Sequence, residues 1–249
     1  MKKIFILLML LVAFIYAEAQ SVHVAAAANL RYVLEEIKGS YRRTYPSVTV
    51  TLSFGSSGTL TQQILNGASY DLFLSADNHY PYKIAEKNLT SGPVQTYAFG
   101  KLALYSTTVN VSKGVKILTS PVIKKIAIAN PQTAPYGKSA LEILKSQSLY
   151  DTLEGQIIQG ENIAQTIQFV STGNAEVGFV ALSLLKASEM NGKGSIYIIP
   201  DTMYKPIEQS GVLLKQAARN IEAKRFMEYM LSTKIKPIWV KYGYAVPVK

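Results

Sequence analysis

Val48-Thr49-Val50-Thr51-Leu52-Ser53-Phe54 alternates along its length, and Gly55-Ser56-Ser57-Gly58 follows it directly. The first stretch reads as a strand, because β-branched side chains fit a pleated, half-buried surface. The second reads as a polar turn. Leu60, Ile64 and Leu65 then recur at helical spacing until Asn66-Gly67, a helix stop. Asp71-Leu72-Phe73-Leu74 closes the unit as a short buried strand. Upstream, residues 21–28 are apolar without helical spacing, and Leu30, Val33, Leu34, Ile37 and Tyr41 mark an amphipathic helix. Strands alternating with helices imply a parallel sheet built of βαβ units, so the fold class is α/β.

The rhythm returns downstream. Strands are expected over 101–106, 126–129, 156–159, 177–180, 195–199 and 212–214. A helix is expected from Ser139, with Leu141 and Leu144 on one face, and another from the Ile163, Ile167, Val170 stripe. The chain closes with a helix spaced by Ile221, Phe226 and Met230, and one bearing Trp239. Neither a repeat of fixed period nor a low-complexity linker interrupts it. A division into lobes therefore needs short crossings, placed at 96–101 and 201–206. That gives a discontinuous first lobe, 20–98 plus 205–249, and a second lobe, 99–204.

Residues 1–19 read as a secretory signal peptide. Lys2 and Lys3 supply the positive start, and residues 4–15 an apolar run shorter than the roughly 20 residues that span a bilayer. Ala17-Glu18-Ala19 supplies small residues for cleavage after Ala19. The expected location is the periplasm.

Lys and Arg number 26 against 16 Asp and Glu, a formal net charge of +10 in 249 residues. The basic residues are dispersed, and no basic stripe carries interleaved aromatics, so nucleic acid is not an expected partner. A diffuse positive field attracts small anions. With 0 Cys and 2 His, disulfides and thiol nucleophiles are excluded. Neither His23 nor His79 sits in a metal-ligand spacing or beside a nucleophile elbow, so no zinc site and no cofactor is expected.

Four places share one local logic, a strand end, a polar turn and a helix start: Ala28-Asn29, Ser56-Ser57-Gly58, Tyr136-Gly137-Lys138-Ser139 and Glu161-Asn162-Ile163. A helix start leaves unpaired N–H groups and a dipole that favours negative charge. In open α/β sheets, ligands bind beyond the carboxyl ends of the strands. Asn29 and Asn162 are also good helix caps, and the Ser/Gly turn is also an ordinary turn; the four point to an anion as a set, not singly. Gly137-Lys138-Ser139 lacks the earlier glycine of a phosphate loop. Arg31 is expected on a solvated face. Asp71 and Asp77 are the nearest acids to accept a hydrogen bond from a protonated phosphate, with Asp77 also read as the cap of a helix around 81–87.

At these residues the sequence resembles the molybdate-binding proteins of bacterial ABC importers. The stretches are Val24-Ala25-Ala26-Ala27-Ala28-Asn29-Leu30, Phe54-Gly55-Ser56-Ser57-Gly58-Thr59-Leu60 and Asp71-Leu72-Phe73-Leu74-Ser75-Ala76-Asp77. Asn130-Pro131, Pro135-Tyr136-Gly137, Gly160-Glu161-Asn162-Ile163, Gly178-Phe179-Val180-Ala181-Leu182-Ser183 and Tyr242-Gly243-Tyr244 follow in order. The resemblance implies a type II periplasmic-binding-protein fold, two lobes with mainly parallel sheets closing over a tetrahedral dianion. By position it implies that Asn29 and Ser57 bind from one lobe and Tyr136 and Ile163 from the other. Ile163 would act through its backbone N–H, and Ala28 would add another. Where well-known members carry Ser, a small residue and a Tyr donor, this chain has Asn29, Tyr136 and Ala181, and so resembles a branch with Asn and Tyr in the site. The function implied is capture of molybdate, and of tungstate as a near-identical anion, by a monomer that delivers it to a membrane permease. Molybdenum would enter only as the bound oxyanion. Two other readings are a receptor for sulfate or phosphate, and a secreted hydrolase or transferase using Ser57 or Tyr136, which lacks a plausible base.

Overall fold

A computed structural model describes residues 21–190 and 192–247; the expected signal peptide lies outside them. The chain begins β1 (Ser21–Ala27), α1 (Arg31–Thr44), β2 (Thr49–Gly55), α2 (Ser57–Leu65), β3 (Leu72–Leu74), α3 (His79–Glu86) and β4 (Gln95–Gly100). It continues with β5 (Leu102–Ser106), β6 (Ile126–Ala129), α4 (Pro135–Ser146), α5 (Tyr150–Leu153), β7 (Ile157–Gly160), α6 (Ile163–Ser171), β8 (Val177–Ala181), α7 (Leu182–Leu185) and β9 (Ser195–Ile198). It ends with β10 (Ile207–Leu213), α8 (Ile221–Leu231) and α9 (Lys236–Lys241).

Two five-stranded sheets result, ordered β2-β1-β3-β10-β4 and β7-β6-β8-β5-β9. Each is parallel across its first three strands and antiparallel across the last two. The antiparallel half has a topological cause. β4 leaves the first sheet beside the returning β10, with Gly100 opposite Ile207, and β5 enters the second beside β9. The two crossings therefore run together, joined by the Tyr204 hydroxyl, which accepts from the Leu102 N–H at 3.2 Å.

Several local expectations are corrected. Residues 96–100, read as part of a crossing, lie within β4, and only Lys101 separates β4 from β5. The strand expected over 212–214 begins at Ile207; its Gln209 and Ser210 are fully buried polar residues that hide the strand signal. The helix expected from Ser139 starts a turn earlier because Pro135, with its preset φ and no N–H, opens it. Ile221 is exposed, so the buried stripe of α8 runs through Ala223, Phe226, Met227 and Met230. Asp77 does not cap its helix from the cap position, which Asn78 occupies; its carboxylate accepts from the Tyr80 N–H at 3.2 Å.

On α1, Val33, Leu34, Ile37 and Tyr41 are buried as the spacing predicts. Trp239 stacks on Tyr97, meets Tyr244 edge-on, and donates its indole N–H to the Met230 carbonyl at 3.0 Å. The C-terminal helices are thereby pinned behind the first sheet.

Candidate functional site

The site grows out of an accounting of N–H groups at four helix starts. At α2 the Ser56 hydroxyl accepts from Thr59 N–H at 3.2 Å, and the Ser56 carbonyl from Leu60 N–H at 3.0 Å. Gly58 N–H reaches across to the Thr133 carbonyl at 2.8 Å. Ser57 N–H is left over. At α6 the Asn162 side chain takes the Ala164 and Gln165 N–H groups, at 2.9 and 3.2 Å, leaving Ile163 N–H. At α4 no side chain caps the start and Pro135 has no N–H, so Tyr136 and Gly137 keep theirs. At the end of β1 the chain turns into a short 3-10 helix, Ala28–Leu30, with Ala28 N–H leading. None of these leftover donors has a partner among the described residues.

All five residues named from the sequence, Ala28, Asn29, Ser57, Tyr136 and Ile163, line one pocket whose empty space, counting what is open to solvent, is about 200 Å³. Each is at most 4% exposed, so the walls are largely screened from bulk solvent. Ala28, Asn29 and Ser57 follow strands of the first sheet, Tyr136 and Ile163 strands of the second. The two halves are clasped around it. Besides the Gly58–Thr133 bond, Tyr80 donates its hydroxyl to the Gln132 carbonyl at 3.1 Å, and Ser183 donates to the Asn29 carbonyl at 2.9 Å.

No lysine, arginine, acid or histidine lines the cavity. A negative charge there would be met by backbone N–H dipoles and hydroxyls. Ser57 is set up as a donor: its Oγ accepts the Ala76 N–H at 2.9 Å, so its own hydrogen is left to point elsewhere. Burial pushes the Tyr136 hydroxyl well above its ordinary pKa, which keeps it neutral. Asp71 is engaged by the His23 N–H at 2.7 Å and by the Asn220 amide at 3.0 Å, outside the cavity. Asp77 lines a neighbouring hollow with Lys138 and Gln132. Arg31 is exposed, as expected, and lies over the Phe54 ring. Ala181 is buried in β8 and is not part of the cavity wall.

A buried polar network behind the cavity was not foreseen from the sequence. The Asn29 amide lies 2.9 Å from the Gln209 amide and 2.8 Å from the Tyr244 hydroxyl. The Gln209 amide also lies 2.9 Å from the Tyr136 hydroxyl and 3.3 Å from that of Tyr97. Tyr97 donates to the Ser75 carbonyl at 2.7 Å. Gly100 makes room for it: a Cβ there would stand 2.1 Å from the Tyr136 hydroxyl. Of these residues Gln209, Tyr97 and Gly100 lay outside every stretch that carried the resemblance.

The profile of the family described as bacterial extracellular solute-binding protein matches residues 22–245. A molybdate-binding protein ModA of Rhodobacter capsulatus is 39% identical over 231 residues, 92% of this chain and 89% of the relative. Its counterpart from Azotobacter vinelandii is 37% identical over 233 residues, 92% of either chain. The solved Azotobacter vinelandii periplasmic molybdate-binding protein superposes with a TM-score of 0.86 at 34% identity, covering 91% of this chain and all of that one. The chain belongs to the bacterial extracellular solute-binding protein family.

Proposed function

We propose that this protein captures molybdate, and tungstate with it, in the periplasm and delivers it to the permease of an ABC importer. It is a receptor, not an enzyme. The observation that carries the reading is the convergence of Ala28, Asn29, Ser57, Tyr136 and Ile163, from four separate segments, on one pocket without charged side chains. The ModA relatives at 37–39% identity supply the choice of anion.

In this proposal the donors are the backbone N–H groups of Ala28, Ser57, Tyr136 and Ile163, the Ser57 hydroxyl and the Asn29 amide. Such fixed dipoles replace the anion's hydration shell without an acceptor for a proton, which suits a fully ionised tetrahedral dianion. Asn29 and Tyr136 in these places match the branch with Asn and Tyr. Lobe 1 comprises 20–98 and 205–249, lobe 2 comprises 99–204, and the protein acts as a monomer. Contacts from both lobes make the closed form the better binder, so the anion shifts the hinge equilibrium toward closure. The closed form is then what the permease receives. A smaller anion leaves some donors unmet, and each unmet buried donor costs about 1–3 kcal/mol, enough to discriminate.

A thermal-shift series with molybdate, tungstate, sulfate and phosphate tests the choice of ligand. Stabilisation by the first two alone supports the reading. Stabilisation by sulfate or phosphate at equal concentration replaces it with a broader oxyanion receptor.

A further inference from the structure

Amide oxygen and nitrogen are nearly isosteric, so the Asn29–Gln209 network fits the same atom positions in either of two senses. Counting hydrogens separates them. In the first sense Asn29 Nδ2 donates to Gln209 Oε1 and to the Tyr244 hydroxyl, and Gln209 Nε2 donates to the Tyr136 hydroxyl. This leaves Asn29 Oδ1 buried without a partner. It asks the single Tyr97 hydrogen to serve both Ser75 O, at 2.7 Å, and Gln209 Oε1, at 3.3 Å. It also leaves the buried Tyr136 hydroxyl hydrogen with no acceptor in the network.

With both amides reversed, the two tyrosine defects vanish, and the unpartnered atom of Asn29 becomes its nitrogen. Gln209 Nε2 then donates one hydrogen to Asn29 Oδ1 and the other to the Tyr97 hydroxyl, which keeps its own for Ser75. Gln209 Oε1 accepts from Tyr136. The single Tyr244 hydrogen turns from the Asn29 carbonyl, 3.0 Å away, to Asn29 Oδ1, and Ser183 still serves that carbonyl at 2.9 Å. Asn29 Nδ2 is the group left over, on a residue that lines the cavity. A carbonyl oxygen aimed at an oxyanion would repel it; an NH2 offers two donors.

We infer that Gln209 is a positioning residue that holds the Asn29 amide with Nδ2 toward the anion. The inference rests on the oxyanion reading of the cavity. It has two consequences. Tyr136 contributes its backbone N–H to the ligand, because its hydroxyl is committed to Gln209. And β10, the strand that follows the second crossing, reports on both lobes at once, since Gln209 bridges Asn29 of the first and Tyr136 of the second.

Side-chain amide NMR on the unmutated, uniformly 15N-labelled protein tests this, with molybdate binding followed by calorimetry on the same sample. The Asn29 NH2 pair is expected to shift on saturation, and Gln209→Met to bind molybdate about tenfold more weakly. Heat of binding with an unmoved Asn29 NH2 pair overturns the assignment of Gln209 and leaves the receptor reading standing. Absence of any heat with molybdate overturns the receptor reading, and this inference with it.

Discussion

The Ser57 hydroxyl sits 2.9 Å from the Ala76 N–H, and that bond decides what the hydroxyl can do. With one lone pair committed to a buried backbone donor, its hydrogen is oriented away from Ala76, on the wall of the cavity. Ser57→Ala should weaken molybdate binding by roughly ten- to a hundredfold and lower stability by about 1–3 kcal/mol, since Ala76 loses its acceptor. Calorimetric titration and a denaturant melt read the two effects separately. Unchanged affinity would remove Ser57 from the ligand shell.

Gly100 carries a different prediction. A methyl group there would stand 2.1 Å from the Tyr136 hydroxyl and 2.4 Å from Gln209 Nε2, closer than any packing allows. Gly100→Ala should displace both side chains and cost about tenfold or more in affinity. The control is Gly39→Ala in α1, where nothing lies within 4 Å of the added methyl. That change should stabilise by about 0.5–1 kcal/mol and leave binding untouched.

Closure has its own test at Gly58. A Cβ there would stand 2.9 Å from Thr133 Cα, in the seam between the two halves. Gly58→Ala should hold that seam apart. Small-angle scattering should show the normal protein contracting with molybdate and the variant failing to contract. Equal contraction in both would mean that the seam is not where closure happens.

How much of this was legible in the sequence follows the distance over which each interaction acts. The strands β1, β2 and β6 and the buried stripe of α1 are written in local periodicity, and they appear where the pattern puts them. The five cavity residues were legible as helix starts after strands, a local signal, with the resemblance to guide the choice among them. Gln209 was not. Its partner Asn29 is 180 positions away, and a glutamine in a run of Glu208-Gln209-Ser210-Gly211 has neither the periodicity nor the apolar character of a buried strand. Only the pairing of β10 between β3 and β4 makes its burial tolerable.

Acid–base behaviour should divide between site and scaffold. No acid, histidine or lysine lines the cavity, and burial holds Tyr136 protonated, so affinity should be flat from about pH 6 to about pH 9. Asp77 is the contrast. Burial raises its pKa, outweighing the bonds from Tyr80 and Ser75 that lower it. A carboxyl whose folded pKa lies above its unfolded value favours folding while protonated, and that contribution is lost as pH rises through the interval between the two. Asp77→Asn should therefore gain stability relative to the normal protein as pH rises from about 3 into the neutral range, with the two converging at the acid end. Melting curves across that range check the sign; a gain confined to acid pH would contradict it.

The central claim is that one dianion fills the pocket between the two halves. Isothermal titration of the purified exported protein with molybdate, followed by sulfate, tests it most directly. The account predicts one molybdate per chain, bound tightly, with no heat from sulfate. No heat from molybdate, or sulfate competing for the same site at comparable affinity, would contradict it.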